Sequence, residues 1–419
     1  MAGRSSQADN RGTNFFGFLA SGKGKEFHSS RSAARQQDAN YFGDESDGAF
    51  NSSGATSLTV TNKNGSYDGD MMVRQHSSFT LNSSDNYTVD QGCRGLVIFC
   101  TGDVTINGTL TMTGKGAYAD AEDNSTNPNS NIPTNVPSNG LIWKFAGGGG
   151  GRSLSAGPTD LNGAAPPSGD IYTWLAEQNN LINGYTGYEV RLSRQGAAGG
   201  NGGAGSPNDQ GNDGNAGTAG TNTVSSDLYT MSTGGGGGGG NGAWSGSVRA
   251  GDGSYGSCFG GGSGGGGVRS QNPRDGHSAG EWGGPGGPGD DGGHFNYCGG
   301  GGAGNGGGTG NNNGGISNNG QNGTGGLIVI VAKGNVTVGP AGSITSHGMS
   351  GGSAGSHPDS NRVETGGGGS GAGIILIAHG GTYTNNGTVT TTGGTGGPAP
   401  SNTGGAGGAG AIRAIPIGV

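Results

Sequence analysis

A chain of 419 residues with 106 glycines, 28% hydrophobic residues and 11% charged residues cannot bury a large apolar core throughout its length. Its formal net charge of -8 argues against nucleic acid as the main partner, since such proteins usually carry a concentrated basic face. No run approaches the ~18 apolar residues of a membrane span, four cysteines are too few for a disulfide scaffold, and the N-terminus lacks an apolar stretch long enough for a signal peptide, so synthesis in the cytoplasm without membrane insertion is expected.

Residues 1–54 are polar, with Arg4, Arg11, Lys23, Lys25, Arg31 and Arg35 near the start. That composition suits an arm that orders on a partner. Gly17, Gly22, Lys23 and Gly24 approach a phosphate-binding loop, but the final Ser/Thr and a preceding strand are missing. Residues 55–150 read as a β-repeat domain. SLTVT and MMVRQHSSFTL form a weak unit, and GLVIFCTGDVTINGTLTMTGKGA, starting at Gly95, a strong one. Its form is a glycine, an apolar run, a glycine turn (Gly102), a Thr/Val-rich strand, a second turn (Gly108) and another Thr-rich strand. β-Branched residues bounded by glycine are strand signals. A continuous apolar run predicts a strand buried on both faces, and alternation in VTI and TLTM a half-buried one.

Residues 151–325 are glycine-rich. A short helix is expected over DIYTWLAEQNNLI, capped by Asp170. Glycine then holds a period of three at Gly196, Gly199, Gly202 and Gly205, breaks at Ser206-Pro207-Asn208-Asp209, and resumes on the same count at Gly211, Gly214, Gly217 and Gly220. The period returns over 280–292, 301–310 and 404–410. Collagen would need far more proline. Two readings remain: polyglycine-II-type helices packed backbone to backbone, or a Gly/Ser-type linker. The held phase and the turn cluster at the break favour the packed slab. Residues 326–419 return to the β repeat, with GLIVIVAKGNVTVGPAGSITSHGMSGG from Gly326, GIILIAHGGTYTNNGTVTTTGGTGG from Gly373, and GAIRAIPIGV as a last strand. The expected fold is therefore all-β: short repeated strand units of solenoid or sandwich type, with a glycine-rich helical slab.

Chemistry is sparse. No HExxH, GxSxG or paired CxxC motif occurs, and no catalytic residue, metal site or cofactor is assigned. Asp275, Glu281, Asp290 and Asp291 are candidate glycosidase acids, with a solvated loop the plainer reading. Cys258 and Cys298 flank one glycine-rich block, where a disulfide or metal role competes with neutral thiols. Between residues 229 and 297 the interruptions between glycine rows carry Trp244, Arg249, Tyr255, Phe259, Arg269, Arg274, Trp282, Phe295 and Tyr297. Aromatic residues and Arg anchor binding surfaces; the competing reading is that the rings cover the slab.

Period-three glycine rows interrupted by aromatic-bearing segments resemble the glycine-rich adhesin at the tip of the long tail fibre of T-even-like phages. The block QGCRGLVIFCTGDVTINGTLTMTGKGA is similar to blocks in glycine-rich tail-fibre and virion proteins of marine phages. The resemblance covers roughly residues 55–419. It implies a polyglycine-II sandwich whose distal loops bind a host-surface receptor, either a glycan or an outer-membrane protein. It also implies an exterior virion location, attachment to other virion proteins through residues 1–54, homo-oligomers and no enzyme activity. A capsid-decorating protein without receptor binding, a depolymerase and an ice-binding protein are the alternatives.

Overall fold

The computed structural model describes residues 42–63, 68–117, 170–172, 189–193, 196–204, 211–225, 228–240, 250, 252–265, 267, 320–353, 365–399 and 402–416. Among them there are strands and no helix. β1 (Ala49–Asn51) and β2 (Thr56–Leu58) come first, then β3 (Met72–His76), β4 (Ser78–Leu81) and β5 (Asn86–Val89). The unit at Gly95 gives β6 (Leu96–Cys100), β7 (Val104–Ile106) and β8 (Thr109–Thr111). In the glycine-rich region lie β9 (Asp170–Tyr172), β10 (Glu189–Ser193), β11 (Asn222–Ser225) and β12 (Leu228–Met231), paired in the order β11-β12-β10-β9. The unit at Gly326 gives β13 (Leu327–Ala332), β14 (Val336–Val338) and β15 (Ser343–Thr345). The unit at Gly373 gives β16 (Ile374–His379), β17 (Tyr383–Asn385) and β18 (Thr388–Thr390), and β19 (Ala411–Pro416) ends the series.

Each repeat forms one turn of a three-sided coil, because equivalent strands of successive repeats pair in parallel. The first side is β1-β4-β7-β14-β17, the second β2-β5-β8-β15-β18, and the third β19-β16-β13-β6-β3. The predicted alternation decides which residues turn inward. Val104, Val336, Leu110 and Ile344 fill the space between the sides, while Thr105, Thr337, Thr109 and Thr111 lie on the outer face, half-buried. On the third side the apolar runs serve two cores. Leu96, Ile98, Ile328, Ile330, Ile375 and Ile377 point into the coil. Val97, Phe99, Val329, Val331, Leu376 and Ala378 point away from it, against Leu192, Met231, Cys258 and Phe259 of the glycine-rich region. Fully burying one Val, Leu or Ile contributes about 1.5–3 kcal/mol, so this doubly covered sheet is the main source of apolar stabilisation.

Glycine at the corners has a steric cause. A Cβ on Gly342 would overlap the carbonyl of Ile106, and one on Gly387 the carbonyl of Gly342, because consecutive turns stack backbone on backbone there. Gly95, at the entry to β6, has φ +140, which L side chains rarely adopt. Beside it, Arg94 meets Asp68 through two nitrogens at 3.1 and 2.8 Å, both side chains 2% exposed. Burial pushes the Asp68 carboxyl upward, and the guanidinium opposes that shift.

Three expectations are revised. Phe42 is 3% exposed in the outer core, and β1 already forms part of the coil, so the polar arm expected over 1–54 cannot extend past residue 41. Asp170 begins a strand rather than capping a helix, because its segment pairs with β10; residues 173–182 of the expected helix lie outside the described residues. The β-repeat segments expected as two separate domains form one continuous coil. β8 pairs with β15 and β6 with β13, so the ladder crosses the glycine-rich segment as though it were absent.

Candidate functional site

After β8, β15 and β18, on the second side, the chain does not pass straight to β13, β16 and β19; glycine rows that leave the coil and return stand between. The rows are 196–203, 211–220, 232–240, 252–256, 260–265, 320–326, 346–353, 365–373, 391–399 and 402–410. Their backbone groups bond across rows at intervals of three. Gly214, Gly217 and Gly220 donate to the carbonyls of Thr403, Ala406 and Ala409, and Gly234, Gly237 and Gly240 to those of Ala372, Gly369 and Gly366. Row 232–240 exchanges such bonds with six neighbours: 196–203, 211–220, 252–256, 260–265, 365–373 and 402–410. All of its residues are buried. Buried backbone polar groups must be paired, and here other rows supply the partners.

The bonding order also gives each row a direction. Ala197, Gly200 and Gly203 donate to Thr233, Gly236 and Gly239, so rows 196–203 and 232–240 run together. Row 365–373 runs opposite to row 232–240, since Gly234 meets Ala372 and Gly240 meets Gly366. At one end a chain of bonds links Ala250 to Gly203, Gly203 to Gly239, Gly240 to Gly366 and Gly366 to Asn402; Gly397 and Gly352 both bond Gly367. This is the end far from the coil. Near the coil, Gly326 bonds Met112, Gly373 bonds Ser346 and Gly410 bonds Thr391. Consequently the segments between rows at 204–210, 241–249, 266–319, 354–364 and 400–401 all leave and re-enter at the far end.

The candidate residues divide accordingly. Trp244 and Arg249 belong to the segment 241–249, and Arg269, Arg274, Trp282, Phe295 and Tyr297 to 266–319; all seven lie outside the described residues. Tyr255 is half-buried in row 252–256. Phe259 is 1% exposed in the turn that joins two rows beside the coil, packed in the outer core. It therefore covers the third sheet and is not available to a ligand. The sequence missed the other segments ending there, because periodicity marks a row but not its direction or its neighbours. The turn cluster at 206–209 was the signal that could have found them.

Titratable groups offer little chemistry. Burial pushes the Cys93 thiol up to about 12 and Cys100 to about 11, which keeps both neutral. Cys258 is buried, and Cys298, its suggested partner, lies outside the described residues, as do Asp275, Glu281, Asp290 and Asp291. Among the described residues no group of three or more His, Cys, Asp or Glu is placed to hold a metal ion, and no helix is long and apolar enough to cross a membrane. No known protein family, curated protein or solved structure matches the chain.

Proposed function

We propose that this protein is a bacteriophage virion component acting as a receptor-binding adhesin of the tail fibre or tail tip. The glycine rows are read as polyglycine-II helices of three residues per turn, rising ~3.1 Å per residue, so a nine-residue row spans roughly 28 Å. They form a slab that holds its connecting segments away from the coil. The observation that supports this reading best is that rows running in both directions have their connections at the same end, the one far from the coil. Five connections meet at one end, and seven of the nine candidate residues belong to two of those connections. A rigid base lowers the ordering cost of binding, and Trp, Tyr and Arg are the residue types that anchor contacts. The receptor is a host-surface glycan or outer-membrane protein. Attachment to neighbouring virion proteins falls to the basic residues before Phe42.

The test is adsorption of phage carrying Trp244→Ala and Trp282→Ala. If the rings are anchors, each change weakens receptor binding by about 2 kcal/mol or more, with unchanged melting of the purified protein. Normal adsorption by the double variant overturns the proposal. Loss of folding would show instead that the rings cover the slab.

A further inference from the structure

Among the described residues, nothing caps the last turn of the coil on two of its three sides. At the last turn, β17 and β18 have no outer partner strand among the described residues. Val336 donates to Thr382 and Asn386 donates to Val338, so the residues between, Tyr383 and Asn385, turn their N–H and C=O groups outward. The same alternation in β18 turns those of Val389 outward, because Thr388 donates to Gly342 and Thr390 accepts from Ser346. The inward side chains there, Tyr383 and Val389, are only partly buried, whereas their equivalents one turn earlier, Val336 and Ile344, are 0% exposed. At the opposite end β1 presents Ala49 and Asn51 outward, since Gly48 and Ser52 bond β4, and the inward Phe50 is again partly buried. Repeat arrays normally close both ends with polar terminal units.

The two ends are complementary. Phe50 and Tyr383 belong to one register row, Phe50-Phe79-Val104-Val336-Tyr383, and Thr56 and Val389 belong to another. Each side has five strands, but the chain enters on the first side and leaves on the third. The last strand, β19, therefore stands one level beyond β17 and β18, while β1 and β2 stand one level before β3.

We propose that a second copy of this chain docks head to tail on the open end, with its β1 and β2 extending the ladders of β17 and β18. In that arrangement Tyr383 donates to the second copy's Ala49 carbonyl and accepts from its Asn51 N–H, and Phe50 closes the core over Tyr383. β19 enters the level that the second copy leaves half empty beside β3. Ala411 to Ala414 fall opposite Met71 to Arg74, where the Val73 carbonyl already accepts from the Arg74 side chain and the Ile412 carbonyl from Asn222. Ile415 and Pro416 meet Ser46 and Asp47, so both bonds between Asp47 and Gln75, from Asp47 N–H to the Gln75 carbonyl and from Gln75 N–H to the Asp47 carboxylate, must open on docking. The interface is heterologous and does not close on itself, so it builds a row of copies.

Sedimentation of the full chain over a concentration series tests this. The expected result is a mass that grows with concentration past the dimer. Asn385→Pro with Val389→Lys blocks one end, and Asn51→Pro blocks the other. Asn385 and Asn51 face outward, so proline there leaves each variant's own ladders intact, and unchanged melting confirms it. Each variant alone is expected to stay monomeric. A 1:1 mixture is expected to stop at dimers, formed through the one intact end of each. A monomeric wild type at every concentration, association by the folded single variants, or a mixture that stays monomeric overturns the proposal.

Discussion

Gly214 and Gly217 carry the period-three rule to its physical limit. A Cβ on Gly214 would overlap the carbonyl oxygen of Gly238, and one on Gly217 that of Gly235. Both obstacles are backbone of a row that is itself held by six neighbours, so relief by a side-chain rotation is not open. The residues beside them face water: Asn215, Ala216, Thr218 and Ala219 are exposed. Replacing Gly214 and Gly217 together by valine should therefore destabilise the protein by at least about 2 kcal/mol, given overpacking costs of about 1–3 kcal/mol per site. Ala216→Ser and Ala219→Ser should stay within about 0.5 kcal/mol of wild type. Thermal melting of these variants decides. Equal melting for the valine pair and the serine controls would mean that the rows are not held against one another.

Between the strands and the rows sits His347, just past β15. Thr392 donates its backbone N–H to Nδ1 at 3.0 Å, and Thr390 lies 3.3 Å from Nε2. The ring thus joins the second side of the coil to row 391–399. Burial holds its pKa below the usual histidine value. A group that binds its proton less tightly when folded contributes stability that is complete above the unfolded value near 6.5 and is lost as pH falls below it. Melting temperature should drop between pH ~7 and ~5, and the drop should shrink in His347→Gln; an identical pH profile for both proteins would assign the effect elsewhere. Elements of this kind separate what the sequence discloses from what it hides. The apolar runs LVIF, LIVIV and IILI announced strands covered on both faces, and TLT and SIT announced half-covered ones, because side-chain burial follows local alternation. The strand at Asp170 was not legible, since partners in β10 outweighed a local capping signal. Nor was the burial of Phe259 against the third sheet, because an aromatic among glycines looks the same whether it faces water or a core.

At the scale of the whole molecule, the insertion between Ala117 and Gly320 divides the chain in sequence but not in structure. β6 and β13 pair over five residues. Thr345 and Thr111 join their hydroxyls at 2.8 Å, and Met112 donates to the Thr345 carbonyl. Gly116 donates to Thr324, and the side chains of both halves fill one core. Such continuity is thermodynamically permitted because loop closure grows only logarithmically, about 0.6 kcal/mol for each doubling of length. The coil is then held by its ladders and core, not by the chain that crosses between its turns. A protease site placed between Ala117 and Asp170 offers a direct check. After complete cleavage the two pieces should still elute together at the mass of the intact protein, and separate only in denaturant. Pieces that part in native buffer would mean that the pairing of β6 with β13 and of β8 with β15 cannot hold without the covalent link.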